Sequence, residues 1–143
     1  MEVEPNSLIP SIYIDTNICI YFIELNEAFS RKTTHIIKQL YARKTHIITS
    51  ELTLAECLVK PIKEKNIELA SLYTEFLQNR EGFTVTPVSK AILLESARIK
   101  SETKGALPDA IHLATARLSG CRHILSNDRM KIPSDLELIT VDA

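Results

Sequence analysis

Ile12-Tyr13-Ile14-Asp15-Thr16-Asn17 begins as a short apolar run and ends in an acid followed by two polar residues. A run of this kind reads as a buried strand, and Asn17 just behind it reads as the N-cap of a helix. The pattern returns far along the chain, where His123-Ile124-Leu125-Ser126-Asn127-Asp128 is again brief, apolar and closed by polar residues and an acid. Between the two, strand-like and helix-like segments alternate. His46-Ile47-Ile48-Thr49 and Phe83–Thr86 read as second and third strands, 122–126 as a fourth and 136–141 as a fifth. Helical spacing of Phe29, Ile36, Ile37 and Leu40 predicts a helix over 28–43, and that of Ile67, Leu69, Leu72, Tyr73, Phe76 and Leu77 another over 66–80. Ser50 can cap a helix that carries Glu56 and that Pro61 is expected to end or kink. Further helices are expected over 89–103 and 108–119, the second opened by Pro108 and closed by Gly120. Strand–helix alternation of this kind predicts an α/β protein with a mostly parallel sheet covered on both faces.

The 143 residues suit one domain, read as 11–143, preceded by a loose leader over 1–10 that Pro5 and Pro10 punctuate. With 45% hydrophobic and 24% charged residues, the composition is that of an ordinary soluble globular protein. No run approaches the ~18 apolar residues of a membrane span. The acidic start lacks the layout of a signal peptide. Cys19, Cys57 and Cys121 are odd in number and form no Cys-x-x-Cys pair, which argues against a disulfide framework or zinc knuckle and for small buried hydrophobes. The expected compartment is the cytoplasm. A net charge of −1 means that any polyanionic partner must be met by a local basic patch. Arg31-Lys32, Arg43-Lys44, Lys60, Lys63, Lys65, Arg117, Arg122, Arg129 and Lys131 are the candidates.

Four acids stand out by position. Asp15 and Asp128 close strands, Asp109 follows Pro108 in the first turn of a helix, and Glu56 lies inside one. On a helical projection Glu56 falls about 40° beyond the edge of an apolar arc of Leu52, Ala55, Leu58 and Val59. Asp109 borders the arc of Ala110, Ile111, Ala114 and Leu118. If the first and fourth strands are neighbours, Asp15 and Asp128 face each other at the point where strand order reverses, the place where open α/β sheets bind ligands. Carboxylates gathered there repel one another unless a cation neutralises them. An all-oxygen set suits Mg2+ or Mn2+ and the cleavage of phosphodiesters. His112, one turn beyond Asp109, reads as a hydrogen-bonding structural histidine rather than a transition-metal ligand.

Four stretches carry a more specific resemblance: 12–17, Ser50-Glu51-Leu52-Thr53-Leu54-Ala55-Glu56, Leu107-Pro108-Asp109-Ala110-Ile111-His112-Leu113-Ala114-Thr115-Ala116, and Leu125-Ser126-Asn127-Asp128. In order and spacing they resemble the four acidic motifs of the PIN-domain nucleases, over about residues 11–141, and the short single-domain form resembles the VapC-type ribonuclease toxins. The resemblance implies a three-layer α/β/α domain with a five-stranded parallel sheet of order 3-2-1-4-5. It also implies Mg2+- or Mn2+-dependent endoribonuclease activity with a metal-activated water, a homodimer, and inhibition by a cognate antitoxin. Carried over by position, Asp15, Glu56, Asp109 and Asp128 are the catalytic and metal-site acids, Thr16 is the hydroxyl beside the first of them, and Asn127 is a turn residue within reach of the site. Ser126 stands where threonine is common, and Met130-Lys131-Ile132 replaces a frequent aromatic. The apolar helical content of 28–43 and 66–80 adds to the expectation of a dimer. Two competing readings are a non-catalytic PIN-like scaffold that binds RNA or protein, and a structure-specific DNA nuclease. A receiver-type phosphoacceptor domain lacks its acidic pair near the first strand and its late lysine.

Overall fold

The computed structural model describes residues 9–141; most of the leader expected at 1–10 lies outside them, as do the last two residues. Ile9 and Pro10 are tied to the domain, their carbonyls accepting from Thr45 Oγ1 at 2.8 Å and the His46 amide at 3.0 Å. In chain order the elements are β1 (Ser11–Ile14), α1 (Thr16–Glu24), α2 (Ser30–Ala42), β2 (His46–Ser50), α3 (Glu51–Lys63), α4 (Ile67–Phe76), β3 (Phe83–Thr86), α5 (Lys90–Thr103), α6 (Leu107–Leu118), β4 (His123–Leu125) and β5 (Glu137–Ile139). The strands form one parallel sheet in the order β3-β2-β1-β4-β5.

Side chains of a strand alternate between faces, and β1 divides the core accordingly. Ile12 and Ile14 pack with Ile18, Ile36, Leu40 and Tyr73 under α1 to α4. Tyr13 packs on the other face with Ile99, Leu113 and Ala114 of α5 and α6. Each such side chain contributes about 1.5–3 kcal/mol on leaving water. The result is three layers. Strand order reverses between β1 and β4, where Tyr13 pairs with Ile124 and Ile14 with Leu125. Residues following these strands therefore emerge side by side.

Several local features differ from the sequence expectation. The cap of α1 is Asp15, not Asn17, because the extended strand turns into the helix without a spare residue and the Asp15 carboxylate accepts from the Thr16 amide. Pro61 neither ends nor breaks α3. It lies buried in the last turn, and hydrogen bonding resumes at once, with the Glu64 amide on Lys60 O at 2.9 Å. The buried face of α3 is Thr53, Cys57 and Pro61, whereas Val59 of the expected arc is 66% exposed. The apolar stripe of α2 is spent on the core, since Ile36, Ile37 and Leu40 are buried. On α4, Tyr73 faces inward while Ile67 and Leu72 face solvent. All three cysteines are buried and free. No helix among the described residues is long and apolar enough to cross a membrane.

Candidate functional site

Asp15 sits at the carboxyl end of β1 and is only 4% exposed. Its Oδ1 accepts from the Thr16 amide at 2.8 Å and its Oδ2 from Ser126 Oγ at 2.7 Å. The first bond comes from the start of α1, where the helix dipole also favours negative charge. The second exists because β4 runs beside β1 and delivers Ser126 to the same edge; the Asp15 amide bonds Leu125 O at 3.0 Å. Ser126 Oγ in turn accepts from the Asp128 amide at 3.0 Å, so one hydroxyl links the first and fourth acids.

Glu56 reaches the cluster from α3, whose start is fixed by Ser50 accepting from the Leu52 amide. Its Oε1 accepts from Thr16 Oγ1 at 2.7 Å and lies 2.6 Å from His112 Nε2. Nε2 is also 3.6 Å from Asp15 Oδ1. Burial by itself pushes the Glu56 carboxyl up, but the hydrogen bonds from His112 and Thr16 overcome it and hold the group below its ordinary 4.5.

Asp109 and Asp128 are placed differently. Asp109 stands half-buried in the first turn of α6, and Asp128 is exposed just beyond β4. Among the described residues neither carboxylate accepts a hydrogen bond or pairs with a cation. Asp109 is raised above its ordinary 3.8, first by burial and then by the charges of Asp128 and Asp15, with Glu56 adding to them. The four acids thus share one electrostatic field. Among the described residues no three His, Cys, Asp or Glu side chains close into a ready-made metal cage; carboxylates that repel one another have no reason to crowd. The donor set is nonetheless all oxygen and anionic, the chemistry that a hard divalent cation prefers.

Of the supporting residues, Thr16 gives its hydroxyl to Glu56. Asn127 Oδ1 accepts from the Val141 amide at 2.7 Å, which ties the loop to the end of the described chain. Asn17 spans the gap between strands, its Oδ1 accepting from the Asn127 amide at 3.2 Å and its Nδ2 donating to Ser126 Oγ at 3.3 Å. Arg117 is engaged by Asp135 and Glu95, and is not a free basic contact. Sequence reasoning passed over Ser126 as a donor and Tyr13 altogether. The signal for Tyr13 was available: a phenol in a buried strand needs a partner, and its neighbours Ile12 and Ile14 point to the opposite face. Its hydroxyl lies 2.5 Å from His112 Nδ1.

The decisive comparison is with protein families, where the PIN-domain model matches residues 12–132. This chain belongs to the PIN-domain family. Solved structures agree on the fold. A toxin–antitoxin complex from Klebsiella pneumoniae superposes with a TM-score of 0.69 at 24% identity, covering 91% of this chain and 97% of that one. VapBC2 from Rickettsia felis, bound to a DNA fragment from its promoter, gives 0.69 at 18% identity over 91% and 98%. VapC20 of Mycobacterium tuberculosis, described as a toxin that cleaves the sarcin–ricin loop, gives 0.66 at 18% identity over 82% and 90%. No curated protein sequence matches the chain. In this PIN domain, Asp15, Glu56, Asp109 and Asp128 all stand at the carboxyl-end edge of the sheet or on helices that reach it.

Proposed function

We propose that this PIN domain is a Mg2+- or Mn2+-dependent endoribonuclease, the toxin of a VapBC-type pair, acting in the cytoplasm. The observation that carries the reading is the gathering of four carboxylates at the strand-order switch, where burial and then the neighbouring acids raise Asp109 and, among the described residues, no cationic side chain pairs with Asp109 or Asp128. The similarity to a toxin–antitoxin complex and to a toxin described as cleaving the sarcin–ricin loop supports the same assignment.

Asp15, Glu56, Asp109 and Asp128 would hold the ion. A bound Mg2+ or Mn2+ supplies charge to the scissile phosphate and lowers the pKa of a water molecule. The chain contributes the rest. Ser126 and the Thr16 amide keep Asp15 in one orientation, and Thr16 with His112 keeps Glu56 ionised and in place. Asp109, raised first by burial and then by its acidic neighbours, is the best placed to take a proton from water. Hydrolysis then forms one P–O bond to water and breaks another, the departing oxygen taking a proton. Arg129 and Lys131, exposed directly after Asp128, are the cations best placed by sequence to meet the RNA backbone.

A second copy and an antitoxin are the proposed partners. Val59 and Ile62 of α3 and Ile67 and Leu72 of α4 are exposed, and a groove of about 690 Å³ runs between these helices, its lining including Ile62 and Ile67 together with the polar Lys65, Asn66, Glu75 and Gln78. Leu93 and Leu94 of α5 add a separate apolar surface. Exposed apolar patches of this kind mark protein contacts.

The test is cleavage of single-stranded and hairpin RNA. Activity is expected with Mg2+ or Mn2+, to stop with EDTA, and to be lost in Asp15→Asn and Asp109→Asn. Undiminished cleavage by either folded variant removes that residue from the mechanism, and activity that survives EDTA removes the metal.

A further inference from the structure

His112 is 1% exposed, sits one helical turn beyond Asp109, and has both ring nitrogens engaged. Nε2 meets Glu56 Oε1 at 2.6 Å and lies 3.3 Å from Thr16 Oγ1, while Nδ1 meets the Tyr13 hydroxyl at 2.5 Å. We propose that His112 and Tyr13 form a positioning pair that locks Glu56 through Oε1 and so leaves Oε2 as the oxygen presented to a divalent cation. The inference rests on the metal-dependent reading above and assigns within it two residues beyond the four acids.

Proton bookkeeping supports the geometry. Tyr13 is fully buried, and its hydroxyl lies 2.5 Å from His112 Nδ1. Nε2 faces a Glu56 oxygen that already accepts from Thr16, so an attractive contact at 2.6 Å needs hydrogen on Nε2, and Nδ1 is left to accept from the phenol. A ring nitrogen that accepts fixes the tautomer, and the hydrogen then lies on the other nitrogen. Nε2–H therefore donates to Glu56. Thr16 donates to the same oxygen, so Oε1 is used twice, and no hydrogen bond among the described residues engages Oε2.

The arrangement also argues against His112 as a direct ligand. To bind a metal, Nε2 must present a lone pair, and that lone pair would then face a carboxylate oxygen 2.6 Å away. The contact is attractive only while Nε2 carries hydrogen. Partners that orient a ligand in this way set metal affinity as strongly as many ligands do.

The experiment combines 15N NMR of the imidazole in the metal-free protein with Mn2+ titration by calorimetry. Three variants are compared: Tyr13→Phe removes only the hydroxyl, His112→Ala removes the donor, and His112→Gln restores an amide N–H near the Nε2 position. Wild type should show hydrogen on Nε2 and a hydrogen-bonded lone pair on Nδ1, and Tyr13→Phe should lose the hydrogen-bond signature at Nδ1. Mn2+ affinity should fall about tenfold in Tyr13→Phe and up to about a hundredfold in His112→Ala, with His112→Gln recovering much of it. In a Glu56→Gln background, His112→Ala should add no further loss, because the histidine acts through Glu56.

Hydrogen on Nδ1 in wild type overturns the inference, as do folded Tyr13→Phe and His112→Ala proteins that bind Mn2+ like wild type. Losses that multiply with Glu56→Gln overturn it too, by making His112 an independent ligand. If His112→Ala fails to fold, Tyr13→Phe carries the comparison. Wild type that binds no Mn2+ at all removes the metal centre itself, an outcome distinct from wild-type binding that the variants leave unchanged.

Discussion

Asp15 accepts hydrogen bonds from the Thr16 amide and Ser126, and Glu56 from Thr16 and His112, whereas the carboxylates of Asp109 and Asp128 accept none among the described residues. The first pair is embedded at the junction of β1, α1 and α3, where strand pairing and helix starts supply donors as a by-product of the fold. The second pair sits at the first turn of α6 and in the loop after β4, closer to solvent. Glu56 is held below its ordinary value and Asp109 above it, although burial pushes both upward. Donors make the difference. One half of the cluster is preorganised by the protein, and the other is the half that the proposed cation would complete by supplying positive charge.

Breaking the ordered half should have the largest effect. Asp15→Asn is expected to lower RNA cleavage roughly a hundredfold or more, the scale on which loss of a preorganised electrostatic partner acts. It should fold well, because asparagine is also a good N-cap. Asp15→Ala should lose the same activity and also about 1–2 kcal/mol of stability, since it removes the cap of α1. Equal melting of the two variants in urea would deny Asp15 its structural role.

Ser126→Ala sharpens the contrast at an intermediate scale. It strips the donor from Asp15 Oδ2 and the acceptor from the Asp128 amide. Loss of a buried hydrogen bond to a charged group should cost about 1.5–3 kcal/mol in chemical denaturation. A neutral result would mean that the strand-end serine only fills space.

The subtlest effect is one of sign with pH. Glu56 has a lowered pKa in the fold, so it adds stability that is present above its unfolded value near 4.5 and is lost as pH falls through the folded value. Asp109 has a raised pKa, so its contribution is fully present below its unfolded value near 3.8 and is lost as pH rises through the folded value. At neutral pH, metal-free Glu56→Gln should therefore melt below wild type, and metal-free Asp109→Asn at or above it. Both differences should shrink as the solution is acidified through the carboxylate range. Shifts of the same sign would erase the proposed distinction between the two halves.

Much of this site was legible from local pattern. Asp15 and Asp128 were placed by the short apolar runs before them, and Asp109 by the proline that opens α6. The sheet order followed from the family resemblance, and the structure has it. What pattern missed was polar burial. The helical projection put Leu52, Ala55, Leu58 and Val59 of α3 inward, yet Leu52 and Leu58 are only half-buried, Ala55 and Val59 are exposed, and Thr53 is buried beside Cys57 and Pro61, since its hydroxyl meets Thr49 Oγ1 at 2.8 Å and needs no water. On α6, His112 and Thr115 are buried while Leu118 is 50% exposed. A hydropathy reading ranks residues by what they lose in leaving water and cannot see the partner that repays it. Tyr13 and His112, 99 positions apart in sequence, are the clearest instance.

Thermal unfolding of wild type and Asp109→Asn, each with and without Mn2+ at neutral pH, tests the central claim that four carboxylates form one cation site. A ligand bound only by the folded state stabilises it by about 2.7 kcal/mol at a hundredfold excess over its Kd. Wild type should therefore melt distinctly higher with Mn2+. Asp109→Asn should start at least as high without the metal and gain less from it. A wild-type protein whose melting ignores saturating Mn2+, while metal-free Asp109→Asn melts clearly lower, would contradict the account.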